Sequence, residues 1–161
     1  MLLREIREQP NAIRNTIEAE SREVDRVAIN LRRRRIHFLG MGSSYLASIY
    51  ARYLLGEFTQ KGAENHLASE FIHYPSQIAS NDVVVALSQS GESIETVRAV
   101  QALKKKRNLV IGITNEPKSP LAALSDQVLL THAGRKSERY EDIHFSIGAS
   151  AQPRSLDRHP R

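Results

Sequence analysis

Hydrophobic and polar positions predict strands and helices that alternate along the chain. The strands are apolar runs bounded by polar turn residues, whereas the helices carry apolar residues at every third or fourth position. Short turns between alternating strands and helices predict a three-layer α/β sandwich, with a mostly parallel sheet of about five strands and an N-terminal helix. The predicted strands are 36–39, 82–87, 108–114 and 126–130, with a weaker one at 63–68. The predicted helices are 10–31, 93–106 and 119–124, with one more after the first strand and a helical turn at 69–71.

Apolar positions also predict which side of each helix is buried. The N-terminal helix is expected to begin near Pro10, because proline suits the first turn of a helix. The helix at 93–106 is expected to bury Ile94, Val97, Val100, Ala102 and Leu103. The helix after the first strand is expected to bury Leu46, Ile49, Tyr50, Tyr53 and Leu54.

A polar turn at 88–93 (SQSGES) joins the clearest strand to the clearest helix. N–H groups in the first turn of a helix lack partners within the helix and lie at the positive end of its dipole. Together with the hydroxyl and amide groups of Ser88, Gln89 and Ser90 they predict an anion site, and several hydroxyls favour a phosphosugar over a bare ion. The alternative is a plain N-cap, in which Ser93 and Thr96 only satisfy backbone donors.

A second turn, 40–44 (GMGSS), follows the first strand. It matches a dinucleotide fingerprint only in part, because Tyr45 replaces the third glycine and no acidic residue convincingly ends the next strand. No nicotinamide cofactor is therefore expected. The glycines would instead let Ser43 and Ser44 face the ligand of the 88–93 turn, since parallel sheets bind ligands at the carboxyl ends of their strands.

Composition excludes several other classes of function. The chain has 161 residues and a net charge of +5, much of it in basic clusters at 32–35 and 104–107. Each cluster lies at the end of a predicted helix, where cations are stabilising, and no aromatic residues are interleaved with it. We therefore expect no binding to nucleic acid. The chain has no cysteine and no apolar run long enough to span a bilayer, so we expect a cytoplasmic protein without a membrane partner.

The histidines do not indicate a catalytic or metal site. His73 and His132 are isolated, and His37 lies within the first strand, where a core or edge position is expected. No set of His, Asp and Glu has metal-ligand spacing, so no metal is expected, and catalytic residues stay unassigned.

Three segments are predicted along the chain. Residues 1–31 form an N-terminal helical segment, and 32–134 form the folded domain. Residues 135–161 show neither helical nor strand periodicity and are expected to be disordered.

Several stretches resemble the sugar isomerase (SIS) domain, which has a flavodoxin-like fold. The likeness is closest to the first SIS domain in the isomerase half of glutamine–fructose-6-phosphate aminotransferases, also called glucosamine-6-phosphate synthases. Residues 4–17 resemble the segment that precedes that domain. The matching stretches are 38–48 (FLGMGSSYLAS), 68–74 (ASEFIHY), 82–96 (DVVVALSQSGESIET), 109–126 (LVIGITNEPKSPLAALSD) and 129–134 (LLTHAG).

The resemblance implies a hexose 6-phosphate ligand, such as fructose 6-phosphate or glucosamine 6-phosphate. It also implies a homodimer, because synthase active sites are completed across subunits, and a structural or interface role for Glu70. Met41 departs from the small residue or cysteine that is common at its position. The residues implied to hold the phosphate are Ser88, Gln89, Ser90 and Ser93, and those implied to line the sugar are Gly42, Ser43 and Ser44.

Departures from the family leave the activity open. The chain shows neither the glutaminase domain nor the second SIS domain, which carries the glutamate, histidine and lysine that move protons. After residue 134 it also departs from the family pattern, as expected for a truncated gene or a shifted reading frame. A phosphosugar-binding domain is therefore expected. The alternatives are a complete small aldose–ketose isomerase and a non-catalytic sensing or assembly module, and a nucleotide-binding protein is the least favoured.

Overall fold

The structure, a computed structural model, describes residues 2–59, 61–74 and 78–133. The predicted tail at 135–161 lies outside the described residues. Strands and helices alternate through the described part. In chain order they are α1 (Leu2–Leu31), β1 (Ile36–Gly40), α2 (Gly42–Thr59), β2 (Ala63–Leu67), α3 (Ala68–Phe71), β3 (Val83–Leu87), α4 (Ile94–Lys105), β4 (Leu109–Thr114), α5 (Pro120–Leu124) and β5 (Gln127–Leu130).

The strands form one sheet with the order β2-β1-β3-β4-β5, in which every neighbouring pair is parallel. The chain turns from β1 outward to β2 and then crosses to β3 on the other side of β1. Helices cover both faces because residues that alternate along each strand point to opposite sides. The predicted α/β fold is confirmed.

Each face of the sheet has its own hydrophobic core. On one face, Leu39 and Val84 pack with Val100 and Leu103 of α4 and with Phe71 of α3. The core of the other face consists of buried residues from α1, α2 and the sheet: Val27, Ala47, Ile36, Phe38, Val83, Val85, Leu87 and Ile111. The sheet therefore forms the middle of three layers, as predicted.

Two details of the helices differ from the prediction. Helix α1 begins at Leu2, with Pro10 inside it. A proline in a helix interior loses one hydrogen bond and clashes with the carbonyl four residues earlier, but the segments on either side of Pro10 are rich in strong helix formers. In α2 the buried residues are the small Ser44, Ala47 and Ser48. Three residues predicted to be buried are instead exposed on that helix: Leu46, Tyr50 and Tyr53.

Helix α4 buries a face close to the predicted one. Val100 and Leu103 are buried, together with Thr96 and Ala99, but Ile94 is exposed. Ile94 is the first residue of the helix.

One residue of each basic cluster pairs with a carboxylate. Lys104 lies in the last turn of α4 and pairs with Asp126, and Arg35 pairs with Glu64 of β2. Lys61 donates to the carbonyl oxygen of Leu31 at 2.9 Å and so caps the end of α1.

No helix among the described residues is long and apolar enough to cross a membrane.

Candidate functional site

The two serine-containing turns lie side by side at the carboxyl edge of the sheet. Strands β1 and β3 are neighbours, and their last residues, Gly40 and Leu87, are register partners. The turns at 41–44 and 88–93 begin directly after these residues. The chain reverses its direction of winding between β1 and β3, so the turns flank the topological switch point, where open parallel sheets bind their ligands.

The 88–93 turn is fixed by backbone bonds to β4. Ser88 N–H donates to the Ile113 carbonyl at 3.0 Å, and the Gln89 carbonyl accepts from Asn115 N–H, also at 3.0 Å. Ser88 and Gln89 are only 5% and 9% exposed. The first half of the turn is therefore held rigidly by the neighbouring strand.

Hydroxyls of the turn accept hydrogen bonds from its own backbone. The Ser88 Oγ accepts from Gly91 N–H at 3.1 Å, and the Ser90 Oγ accepts from Glu92 N–H at 3.2 Å. A hydroxyl that accepts one bond still has its own proton to donate. The protons of Ser88 and Ser90 are therefore available to a negatively charged ligand.

Gly91 is required for the shape of this turn. Its φ is +66°, in the left-handed region, and a Cβ at this position would lie 2.0 Å from the Ser119 Oγ and 2.9 Å from the Thr114 Oγ1. Its carbonyl accepts from Leu121 N–H in the first turn of α5. Thr114 and Ser119 support the turn, and the sequence pattern gave no sign of this role because their contact with Gly91 is not local.

Ser93 is the N-cap of α4, as the structural alternative predicted. Its Oγ accepts from the hydroxyl and the N–H of Thr96, at 3.1 and 3.5 Å, and donates to the Glu95 carboxylate at 3.2 Å. To donate to a phosphate, Ser93 would have to release Glu95. The N–H groups of Ile94 and Glu95, in the first turn of the helix, have no partner within the helix.

The turn after β1 brings the start of α2 to the same edge. Gly42 has a φ of +51°, and a Cβ there would meet no atom within 4 Å, so its open side is free for a ligand. Ser44 is buried and Ser43 half-buried. Gly40 permits the close approach, because a Cβ there would lie 3.0 Å from backbone atoms of Ser44 and Tyr45.

Two polar side-chain atoms at this edge are buried and have no hydrogen-bond partner among the described residues. They are the Ser43 Oγ and the Gln89 Oε1, one from each turn. Buried polar atoms normally have partners, so an orphan atom in each of two adjacent turns indicates a place for a ligand or water. The seven predicted site residues carry only hydroxyl, amide and backbone N–H groups, which can bind and orient an anion, and the 88–93 turn also contains the exposed carboxylate of Glu92.

Other residues singled out in the sequence have structural contacts. The sulfur of Met41 accepts from Ser69 N–H at 3.3 Å, which ties the first turn to α3. His132 lies 3.0 Å from the Glu20 carboxylate, and its N–H donates to Thr16, so it connects the end of β5 to α1. His73 is exposed. Glu70 lines a cleft of about 410 Å³ beside the edge strand β2.

A group that the sequence analysis missed lies on that edge of the sheet. His37 of β1 faces its register partner Glu64 and the next residue on the same side of β2, His66. The His37 Nδ1 lies 2.9 Å from the His66 Nε2 and 3.6 Å from Glu64 Oε2. The spacing of residues along the chain did not reveal this group, because His37 and the other two residues lie on different strands. The alternation Glu64-x-His66 did indicate that these two side chains lie on the same face of β2.

Comparisons with known proteins identify the family and the fold of the chain. The sequence model of the SIS domain matches residues 31–151. Glutamine–fructose-6-phosphate aminotransferase (isomerizing) from Pyrococcus horikoshii is 36% identical over 135 residues, which cover 83% of this chain and 23% of that protein. The chain therefore spans about a quarter of the length of this relative.

Solved structures show the same fold. The C-terminal domain of glucosamine-fructose-6-phosphate aminotransferase from Francisella tularensis is similar with a TM-score of 0.80 and 26% identity, over 93% of this chain and 45% of that chain. A protein from Escherichia coli CFT073, solved in complex with a phosphosugar, is similar with a TM-score of 0.69 and 26% identity, over 93% of this chain and 81% of that chain.

Proposed function

Because the chain belongs to the SIS domain family and is related to the isomerase half of glutamine–fructose-6-phosphate aminotransferase, we propose that it binds a hexose 6-phosphate between its two serine-containing turns. The phosphate would be held by Ser88, Gln89, Ser90 and Ser93. The sugar would contact Gly42, Ser43 and Ser44.

The observation that carries this proposal is the pair of orphan polar atoms at the switch point. The Ser43 Oγ and Gln89 Oε1 are buried, and neither has a partner among the described residues. They come from turns after adjacent strands, so one ligand that carries both hydroxyls and an anion could satisfy both. The Gln89 Oε1 is an acceptor, so a bare anion would leave it without a partner, whereas a sugar hydroxyl can donate to it.

The name of the relatives suggests the sugar. Fructose 6-phosphate is in the name of the aminotransferase, so we infer that fructose 6-phosphate or glucosamine 6-phosphate is the ligand of this chain. The solved E. coli relative in complex with a phosphosugar supports a phosphorylated ligand at this fold. The seven residues that we assign to the ligand offer groups for binding and orientation, so we propose a binding domain.

Calorimetric titration with fructose 6-phosphate tests the proposal. Wild-type protein should bind saturably, and the Ser88→Ala/Ser90→Ala variant should lose at least tenfold in affinity, because a hydrogen bond to a charged group contributes about 1.5–3 kcal/mol. Fructose should bind much more weakly than fructose 6-phosphate. Ser21→Ala/Ser80→Ala, which changes two exposed serines elsewhere, should bind like the wild type. Equal affinity in both double variants would refute the assigned site.

One observation favours a second candidate, a complete small isomerase. The chain covers 81% of the solved protein from E. coli CFT073, so a protein of this fold and of similar length exists. Conversion of fructose 6-phosphate to glucose 6-phosphate that Ser90→Ala abolishes would support this candidate. Saturable binding of fructose 6-phosphate without its conversion to glucose 6-phosphate would support a binding domain or a non-catalytic sensing module, and would contradict a complete isomerase.

We also expect the chain to form a homodimer. Leu46, Tyr50 and Tyr53 form an exposed apolar stripe on α2, with exposed fractions of 65, 44 and 64%. A second copy of the chain is the occupant we propose. Sedimentation velocity should show a dimer that Tyr53→Glu dissociates and that Ile29→Glu, on the exposed side of α1, leaves intact. A monomer in the wild type would contradict this expectation.

A further inference from the structure

Two histidines and a glutamate form a compact group on one face of β1 and β2. His37 is fully buried, the side chain of His66 is 12% exposed, and that of Glu64 is 41% exposed. None of them belongs to the two serine-containing turns. The function proposed above therefore does not account for this group.

The three ligand atoms form a triangle of the size that a metal ion needs. The His37 Nδ1 lies 2.9 Å from the His66 Nε2 and 3.6 Å from the Glu64 Oε2, and the last two atoms are 3.9 Å apart. Zinc with bonds of about 2.0–2.1 Å in a tetrahedron separates its ligand atoms by about 3.3 Å. The distance between the two nitrogens is shorter than about 3.3 Å, and the two distances to the Glu64 Oε2 are longer. Small side-chain rotations would make the three distances equal.

Asp82 prepares His37 as a ligand. The buried Asp82 Oδ2 lies 3.1 Å from His37 Nε2 and accepts the Ala79 N–H at 2.9 Å. A carboxylate at Nε2 places the ring proton there and leaves the lone pair of Nδ1 facing His66 and Glu64. Metal-binding histidines characteristically donate their second N–H to a carboxylate in this way.

The other two ligands are also oriented. Arg35 pairs with the Oε1 of Glu64, so Oε2 is the oxygen that faces the imidazoles. Phe71 contacts the ring of His66 edge-on, with centroids 5.5 Å apart. Burial, followed by the neighbouring His37, lowers the pKa of His66.

Solvent can supply the remaining coordination position. Glu64 and His66 line the cleft of about 410 Å³ at the edge of the sheet. An ion between the three side chains would therefore have an open side toward this cleft. Two nitrogen ligands and one oxygen favour a transition metal over Mg²⁺ or Ca²⁺, which prefer oxygen.

We propose that the His37 Nδ1, the His66 Nε2 and the Glu64 Oε2 bind a divalent transition-metal ion, with Zn²⁺ the best match. The competing explanation is a metal-free hydrogen bond from His66 to His37. That bond would account for the 2.9 Å contact between the rings, but it gives no role to the Glu64 oxygen that faces them both.

Metal titration of the chelator-stripped protein tests the proposal. Co²⁺ should bind at one equivalent and give the visible absorption of a tetrahedral or five-coordinate nitrogen–oxygen site, and Zn²⁺ should displace it. His66→Gln and Glu64→Gln should each weaken Zn²⁺ binding at least tenfold in competition with a chromophoric chelator. Asp82→Asn should weaken it about 10- to 100-fold through the orientation of His37. His73→Gln, which changes an exposed histidine outside the group, should leave the affinity unchanged.

If loss of a histidine disturbs folding in itself, Glu64→Gln serves as a second variant that tests the same site. Glu64 is partly exposed and the amide of glutamine has the same shape as the carboxylate, so this variant should fold. Circular dichroism in the presence of chelator would establish that each variant is folded. Zn²⁺ affinity that is equal in Glu64→Gln, His66→Gln and wild type would overturn the proposal and assign the binding to other histidines. Absence of one-equivalent Co²⁺ binding to the folded wild type would also overturn it.

Discussion

Arg107 has a left-handed backbone conformation, which is unfavourable for a residue with a Cβ. It follows α4 with a φ of +63°, and the Asn108 N–H donates back to the Leu103 carbonyl, as in a Schellman motif. Glycine is the usual residue at this position. Arg107 is exposed, so its side chain contributes little packing in compensation.

We predict that Arg107→Gly stabilises the protein by about 1 kcal/mol, the cost of the left-handed conformation for an L-residue. Urea unfolding followed by circular dichroism would measure the change. Arg107→Ala is the matched control, because it removes the charge but keeps the Cβ, and it should give no comparable gain. A gain of equal size in Arg107→Ala would attribute the effect to charge.

Gly91 combines a left-handed φ with a close contact to the N-cap of α5. A Cβ would displace Ser119, whose Oγ accepts the Ala122 N–H at 3.2 Å. We predict that Gly91→Ala destabilises the protein by about 2–4 kcal/mol and weakens fructose 6-phosphate binding. Gly62→Ala should change the unfolding free energy little, because a Cβ there meets no atom within 4 Å. Unchanged stability and binding in Gly91→Ala would mean that the turn adapts to a side chain.

At the scale of the element, apolar periodicity located the helices but misassigned one of their faces. Helix α2 has large apolar residues on one side and small residues on the other, and the small side packs on the sheet. Small side chains let a helix approach strands closely, whereas a hydrophobic pattern favours the larger residues as the buried ones. The strands were easier to predict, because β1, β3 and β4 are mostly apolar, largely buried and bounded by polar turns.

The inward face of α2 leaves little room for a larger side chain. Ala47 is 8% exposed and packs in the core of the sheet. We predict that Ala47→Leu destabilises the protein by about 1–3 kcal/mol, since the extra atoms must displace the helix or β1. Thermal and urea unfolding would measure the loss. Ala28→Leu, at an exposed position of α1, should stay within about 0.5 kcal/mol, and an equal loss in both variants would point to helix propensity instead of packing.

At the scale of the whole molecule, the carboxyl-end rule predicted that the two turns share a ligand, but the sequence did not reveal the strand order that makes them neighbours. The two serine-containing turns are far apart in the chain, and each could be predicted from its own strand–turn–helix pattern. Their adjacency follows from the pairing of β1 with β3, a non-local contact. The same limit hid the group of His37, Glu64 and His66, because pairing of β1 with β2 was needed to bring it together.

A ligand that contacts both turns should stabilise the entire fold, because it binds across the β1–β3 pair at the centre of the sheet. Fructose 6-phosphate at 100 times its Kd should add about 2.7 kcal/mol to the unfolding free energy. For a domain of this size, that gain corresponds to a rise in Tm of roughly 5–10 °C, which differential scanning calorimetry would measure. Fructose and NAD should give no shift, and Ser88→Ala/Ser90→Ala should lose most of the shift with fructose 6-phosphate. Any ligand at 100 times its own Kd raises the Tm by the same amount, inorganic phosphate included. The test is therefore the concentration of phosphate that is needed to reach the same rise in Tm as fructose 6-phosphate. If phosphate needs no higher concentration than the sugar phosphate, the turn after β1 adds nothing to binding, and the ligand is an anion that contacts the 88–93 turn alone.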